Sequence, residues 1–226
     1  DEVKELLCEK TPIAQIRYLL ERGRVYNSSQ KADEARLLFK QAWDVARQNS
    51  EDYYAVDAAH MLGICETGDE SLWWNERAME VAEASNHPRA KGWLGSLYNN
   101  TGWTYHDMGN YERALTLFEK GLAWREERHD TIATQIAKWT IARTLRSMGR
   151  VEEALEKQRV LHEENKAMDR PDPYVSEEMG ECLQALGHAT EAQPHFARAY
   201  EALSQDEWLK DKDPERIERL KTLALG

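Results

Sequence analysis

One helix–turn–helix pattern recurs five times along this chain, and a chain written this way folds as a row of stacked hairpins instead of closing around one central core. The clearest copy runs from Tyr98 to Phe118. Gly102 stands in a first helix with Tyr105 three places on, Gly109-Asn110 forms a turn, and a second helix carries Ala114 and Phe118 four apart. The small residue that opens each second helix anchors the other copies. Those residues are Ala35, Ser71, Ala114, Ala154 and Ala192, spaced 36, 43, 40 and 38 residues apart.

Around these anchors the same places recur. They hold Gly23, Tyr26, Phe39 and Ala42 in the first copy, Ala142, Leu145, Gln158 and Leu161 in the fourth, and Gly180, Leu183, Phe196 and Ala199 in the fifth. The second copy is degenerate, with Ala59, Leu62, Asn75 and Ala78 and an irregular turn at Thr67-Gly68-Asp69. Small residues let the two helices of a hairpin approach to about 8–10 Å between axes, and large ones fill the space to the next hairpin. No alternating β-branched run signals a strand. Pro194 falls within the expected second helix of the fifth copy, so that helix starts late, near Thr190, or bends there. Arg22 replaces a large apolar residue before Gly23, which predicts a loose or exposed side to the first hairpin.

The pattern resembles the tetratricopeptide repeat family over residues 11–205. The resemblance is strongest in the third copy and weakest in the second and fourth. Every spacing exceeds the family's usual period of about 34 residues, which makes the repeats similar to the lengthened ones of kinesin light chains and bacterial peptide-sensing regulators. The implied fold is all-α: a right-handed α-solenoid of about five hairpins, over about 11–50, 51–90, 91–130, 131–169 and 170–205, in a single domain spanning 1–226. A last helix at about 213–225, opened by Asp213-Pro214, would cover the apolar end of the stack.

The resemblance also implies that the first helix of each hairpin lines a concave groove. Residues at i, i+4 and i+7 share a helix face. On that face stand Tyr53 and His60 in the second hairpin, Asn99, Trp103 and His106 in the third, Trp139, Arg143 and Arg146 in the fourth, and Tyr174, Glu177 and Glu181 in the fifth. An indole supplies apolar area and one donor, and a guanidinium a planar fork for carboxylate. Asn supplies both a donor and an acceptor for peptide backbone. The expected ligand is an extended protein or peptide segment with an acidic or carboxylate group beside an apolar anchor. Each of these side chains also has a structural reading, the tryptophans packing between hairpins and the arginines pairing with neighbouring Glu. The family's clamp for chaperone tails needs Lys and Asn four apart on the first hairpin, where this chain has Leu20 and Arg24, so that scheme is not expected.

Composition narrows the function further. A formal net charge of −11 argues against nucleic acid as a partner. No apolar stretch approaches the length of a membrane span. Cys8, Cys65 and Cys182 form no paired motif and fit a reducing, cytoplasmic setting. The N-terminal residues have no signal-peptide character and lack an initiator Met, as a trimmed start would. His162-Glu163-Glu164-Asn165 lacks the second His a zinc helix needs, Lys166 standing in its place. No catalytic motif, cofactor motif or metal-ligand spacing is found. The expectation is a non-catalytic interaction module. The alternatives are a regulatory sensor domain for a short peptide or small effector, and a structural scaffold whose Trp73-Trp74 pair marks a weak homodimer contact.

Overall fold

The computed structural model describes residues 11–226, so Cys8 and the N-terminal segment lie outside the described residues. These residues form α-helices joined by short turns: α1 (Pro12–Ser28), α2 (Ala32–Gln48), α3 (Asp52–Cys65), α4 (Gly68–Ala84), α5 (Pro88–Lys91), α6 (Leu94–Asp107), α7 (Tyr111–Glu126), α8 (Thr131–Ser147), α9 (Val151–Ala167), α10 (Pro173–Ala185), α11 (Ala189–Leu203), α12 (Glu207–Lys212) and α13 (Pro214–Leu225). They divide into two compact units, one ending at Asp107 and the other beginning at Met108.

In the first unit, α1 packs on α2, α2 on α3, α3 on α4 and α4 on α6. Ala35, Ala42, Ala46 and Phe39 of α2 are fully buried. Gly23 permits this packing, because a β-carbon there would lie 2.5 Å from the Phe39 ring. The first hairpin is therefore tightly packed. Arg22 sits beside it, half-buried, donating to the Tyr18 and Tyr26 hydroxyls. In the second hairpin the close approach is shifted by one helical turn from the place read in the sequence. It is Gly63, not Ala59, that faces Asn75, at 2.6 Å for an added β-carbon. The Ser71 hydroxyl donates to the Gly63 carbonyl at 2.6 Å. The cause is the short connection, which leaves only Glu66 and Thr67 between the two helices.

In the second unit, α8 packs on α7 and α9, α10 on α9 and α11, and α13 on α11. Gly180 under Phe196 repeats the Gly23–Phe39 arrangement. The fourth hairpin differs, since Gln158 takes the aromatic place, is fully buried, and leaves both amide atoms without a hydrogen-bond partner. Pro194 lies inside α11, which begins at Ala189. As the sixth residue of the helix, Pro194 removes the bond its N–H would make to Thr190 and crowds that carbonyl. The last helix buries Leu220 completely, and the sequence reading missed the short α12 before it.

The turns after α1, α8 and α10 share one geometry. A left-handed residue ends the helix, and the next N–H reaches back five residues, as from Lys31 to Tyr26, Arg150 to Leu145 and His188 to Leu183, each at 2.9 Å. Gly149 and Gly187 take the left-handed place with φ near 80°, whereas Gln30 holds it with φ 60°. A side chain there costs about 1 kcal/mol, so the sequence marks this turn less clearly.

Candidate functional site

Within each unit, first helices of successive hairpins touch through charged and aromatic side chains, α1 with α3 and α8 with α10. In the first unit Arg24 of α1 grips Asp57 of α3, one Nη2 lying 2.6 and 2.7 Å from the two carboxylate oxygens. Its other nitrogen reaches Glu21 at 2.7 Å. Leu20 beside it is buried, so neither position matches a clamp for chaperone tails. Next along α3, the His60 ring lies 5.1 Å from Trp93. Burial holds its imidazole below the usual histidine range, against the opposing pull of Asp57. Tyr53 stacks near Tyr54 and His87. On α6, Trp103 and His106 form an edge-to-face pair at 5.0 Å, and the Asn99 amide donates to Asn100 at 3.2 Å.

The second unit carries a denser array. Arg143 and Arg146 of α8 converge on Glu178 of α10, a carboxylate that is 2 % exposed. Arg143 donates to it at 2.5 Å, and Arg146 through two nitrogens at 2.8 and 2.9 Å. Both guanidiniums expected to meet a ligand are thus engaged by a residue the sequence reading left out. Glu178 directly follows Glu177, but helical rotation turns it toward α8. Glu177 and Glu181 pair in the same way with Arg216 and Arg219 of α13. These arginines sit one hairpin away, in the helix read only as a cover. Trp139 donates its indole N–H to the Tyr174 carbonyl at 3.1 Å, and their rings are 6.2 Å apart. Each of these pairs joins residues 32 to 39 apart in sequence, about one repeat, and a period within one helix cannot pair them.

Beside Trp139 and Tyr174 opens a cleft of about 520 Å³. Ile132, Ile136 and Met168 line it, and all three are exposed. Arg170 stands at its edge, and Asp172 caps α10 below it by accepting from the Tyr174 N–H at 2.8 Å. The aliphatic residues lie on the first two turns of α8, one to two turns before the groove positions read from the sequence. An exposed i, i+4 isoleucine pair was the available signal. A second hollow, of about 460 Å³, lies in the first unit between α1, α3 and α5.

Helical-hairpin repeats of this kind form a scaffold class whose stacked surface generally serves protein interaction. Residues 94–129 match the tetratricopeptide repeat family. Among solved structures, the chain is similar to the nearly identical TPR-like repeats of a Podosopora anserina protein assigned as a kinesin light chain. Identity is 18 %, covering 86 % of this chain and 97 % of that one, with a TM-score of 0.67. It is also similar to MamA of AMB-1, at 22 % identity over 84 % of this chain and 92 % of that one, TM-score 0.54. A third likeness is to a signal-transduction ATPase with numerous domains from Pyrococcus horikoshii, which has a tetratricopeptide repeat sensor. There identity is 15 % over 99 % of this chain and 38 % of the other, TM-score 0.63. By sequence comparison no curated protein matches the chain. Residues 94–129 thus carry a tetratricopeptide-type repeat, and the chain shares its fold with solved structures of such repeats. No helix among the described residues is long and apolar enough to cross a membrane.

Proposed function

We propose that the protein is a non-catalytic module that holds an extended peptide segment against its first-helix face, seating one apolar side chain in the cleft beside Trp139 and Tyr174. The observation that carries this reading is the exposure of Ile132 and Ile136, 53 and 49 %, around a cleft that already has a fixed indole wall. Its volume lies within the roughly 300–1,000 Å³ of small-molecule sites, ample for one large side chain. Burying an apolar side chain there would contribute about 1.5–3 kcal/mol. An acidic group next to that anchor would meet Arg170 at the edge, since Glu178 already engages Arg143 and Arg146. Arg143 and Arg146 then act by holding α8 to α10, with Glu177 and Glu181 tied to α13 beyond them. In the other unit Tyr53, His60, Asn99, Trp103 and His106 are the proposed polar and aromatic contacts for a peptide.

Selection of random peptides on the intact chain tests this. The expected enrichment is a large apolar residue flanked by Asp or Glu, with binding weakened roughly 10- to 100-fold by Ile136→Glu. Enriched peptides that bind Ile136→Glu as tightly as the parent chain would refute the cleft.

A further inference from the structure

The first unit contains a polar hollow of whose lining the peptide-binding reading uses only Tyr53. Arg17 from α1, Tyr53 and Tyr54 from α3 and Arg89 from α5 line it, around the Arg24–Asp57 pair. Arg24 is accounted for by Asp57, whose side chain is 8 % exposed, and by Glu21. Arg17 and Arg89 are different: among the described residues neither forms an ion pair or donates a side-chain hydrogen bond, and the Tyr53 and Tyr54 hydroxyls are likewise unengaged. In a chain of net charge −11, two guanidiniums facing one hollow without an ionic partner need a reason.

Arg89 is also held in place. Its guanidinium carbon lies 3.8 Å from the centre of the Tyr53 ring, and its backbone N–H donates to His87 Nδ1 at 3.1 Å. A cation fixed on an aromatic face loses little freedom when it takes up an anion. The Arg24–Asp57 pair is internally neutral, and Glu21, 73 % exposed, is screened by solvent. With Glu21 counted, the lining carries one net positive charge, and Arg17 and Arg89 are its two cations not committed to a carboxylate, with two phenolic donors beside them. A phosphate monoester matches that set, carrying close to two negative charges near neutral pH and three acceptor oxygens.

We propose that this hollow binds a phosphate monoester, with Arg17 and Arg89 as the charge partners and Tyr53 and Tyr54 as hydroxyl donors. The phosphate is either carried on a polypeptide side chain or free as a small phosphate. The site is independent of the apolar cleft, which belongs to the other unit.

Titration of the full chain by calorimetry, using phenyl phosphate and acetate as probes at low salt, tests it. Phenyl phosphate should saturate one site and bind at least about 10-fold more tightly than acetate, because acetate brings one negative charge and two acceptor oxygens where the phosphate brings nearly two charges and three oxygens. The Arg17→Ala/Arg89→Ala double variant, altered only at exposed positions, should lose about 10-fold or more in affinity while keeping its melting temperature. Lys157→Ala, an exposed cation that lines neither cleft, should leave the phenyl phosphate affinity unchanged. A phosphoserine peptide binding more tightly than inorganic phosphate assigns the site to a polypeptide, and equal affinities assign it to a free phosphate. The site is overturned if phenyl phosphate fails to saturate, if acetate binds as well, or if the double variant binds unchanged. Peptides selected on the apolar cleft report on that cleft alone.

Discussion

The ring of Phe39 fills the space in which Gly23 would carry a β-carbon, 2.5 Å from its nearest atom. A methyl group there must displace a fully buried ring. Gly23→Ala should therefore destabilise the first hairpin by about 1–2 kcal/mol, the overpacking cost outweighing the gain of roughly 1 kcal/mol in helix propensity. Chemical denaturation read by circular dichroism measures this, and a midpoint at or above that of the parent would show that the ring yields freely.

Gln158 stands at the equivalent aromatic place of the fourth hairpin, with Ala142 where the first and fifth hairpins have Gly. Its buried amide has no partner for either polar atom. Such a group costs about 1–3 kcal/mol. Gln158→Met, which keeps length and volume, should raise the denaturation midpoint by a comparable amount. Gln158→Phe should not, because Ala142 already occupies the space that Gly23 and Gly180 leave open.

Glu178 balances two arginines at once. Its replacement by Gln strands Arg143 and Arg146, which are 33 and 25 % exposed and so keep part of their hydration. The expected loss is about 2–3 kcal/mol, near the lower end for a broken buried pair. The double replacement Arg143→Met/Arg146→Met in a Glu178→Met background should recover most of it. Failure to recover would mean that the arginines stabilise the fold by contacts other than this carboxylate.

Mild acid should loosen the fold through two histidines. Burial holds His60 below 6.5 despite Asp57. His195 is lowered chiefly by burial, then by Arg198, His162 and Arg159. With folded pKa values depressed, the unfolded chain binds more protons than the folded one as the pH falls through about 6.5, so stability declines there. The urea midpoint should be lower at pH 5.5 than at pH 7.5, and a His60→Gln/His195→Gln variant should show a flatter dependence. Equal slopes in the two proteins would place the acid sensitivity elsewhere.

The repeat period was fully legible because it is local. Small and aromatic residues at fixed helical offsets specify a hairpin wherever they occur, so the helices fell close to where Ala35, Ala154 and Ala192 placed them. Asp172-Pro173 and Asp213-Pro214 marked helix starts for the same reason, and both aspartates cap as expected. Gly63 escaped notice because the register between α3 and α4 is set by how tightly Glu66-Thr67 connects them, a property of the turn and not of the repeat. The first-helix face could be read from its i, i+4, i+7 spacing. Which residues on that face meet each other could not.

What the sequence determined alone is thus the all-α hairpin architecture, since it follows from periodicities within one helix or one turn. Only the tertiary structure decided that Glu178 takes Arg143 and Arg146, that α13 supplies Arg216 and Arg219 to Glu177 and Glu181, and that Arg17 and Arg89 share one hollow. Those outcomes depend on contacts between residues one or more repeats apart in sequence. There, a fraction of a turn in helix rotation decides whether a charge meets a partner or faces open space.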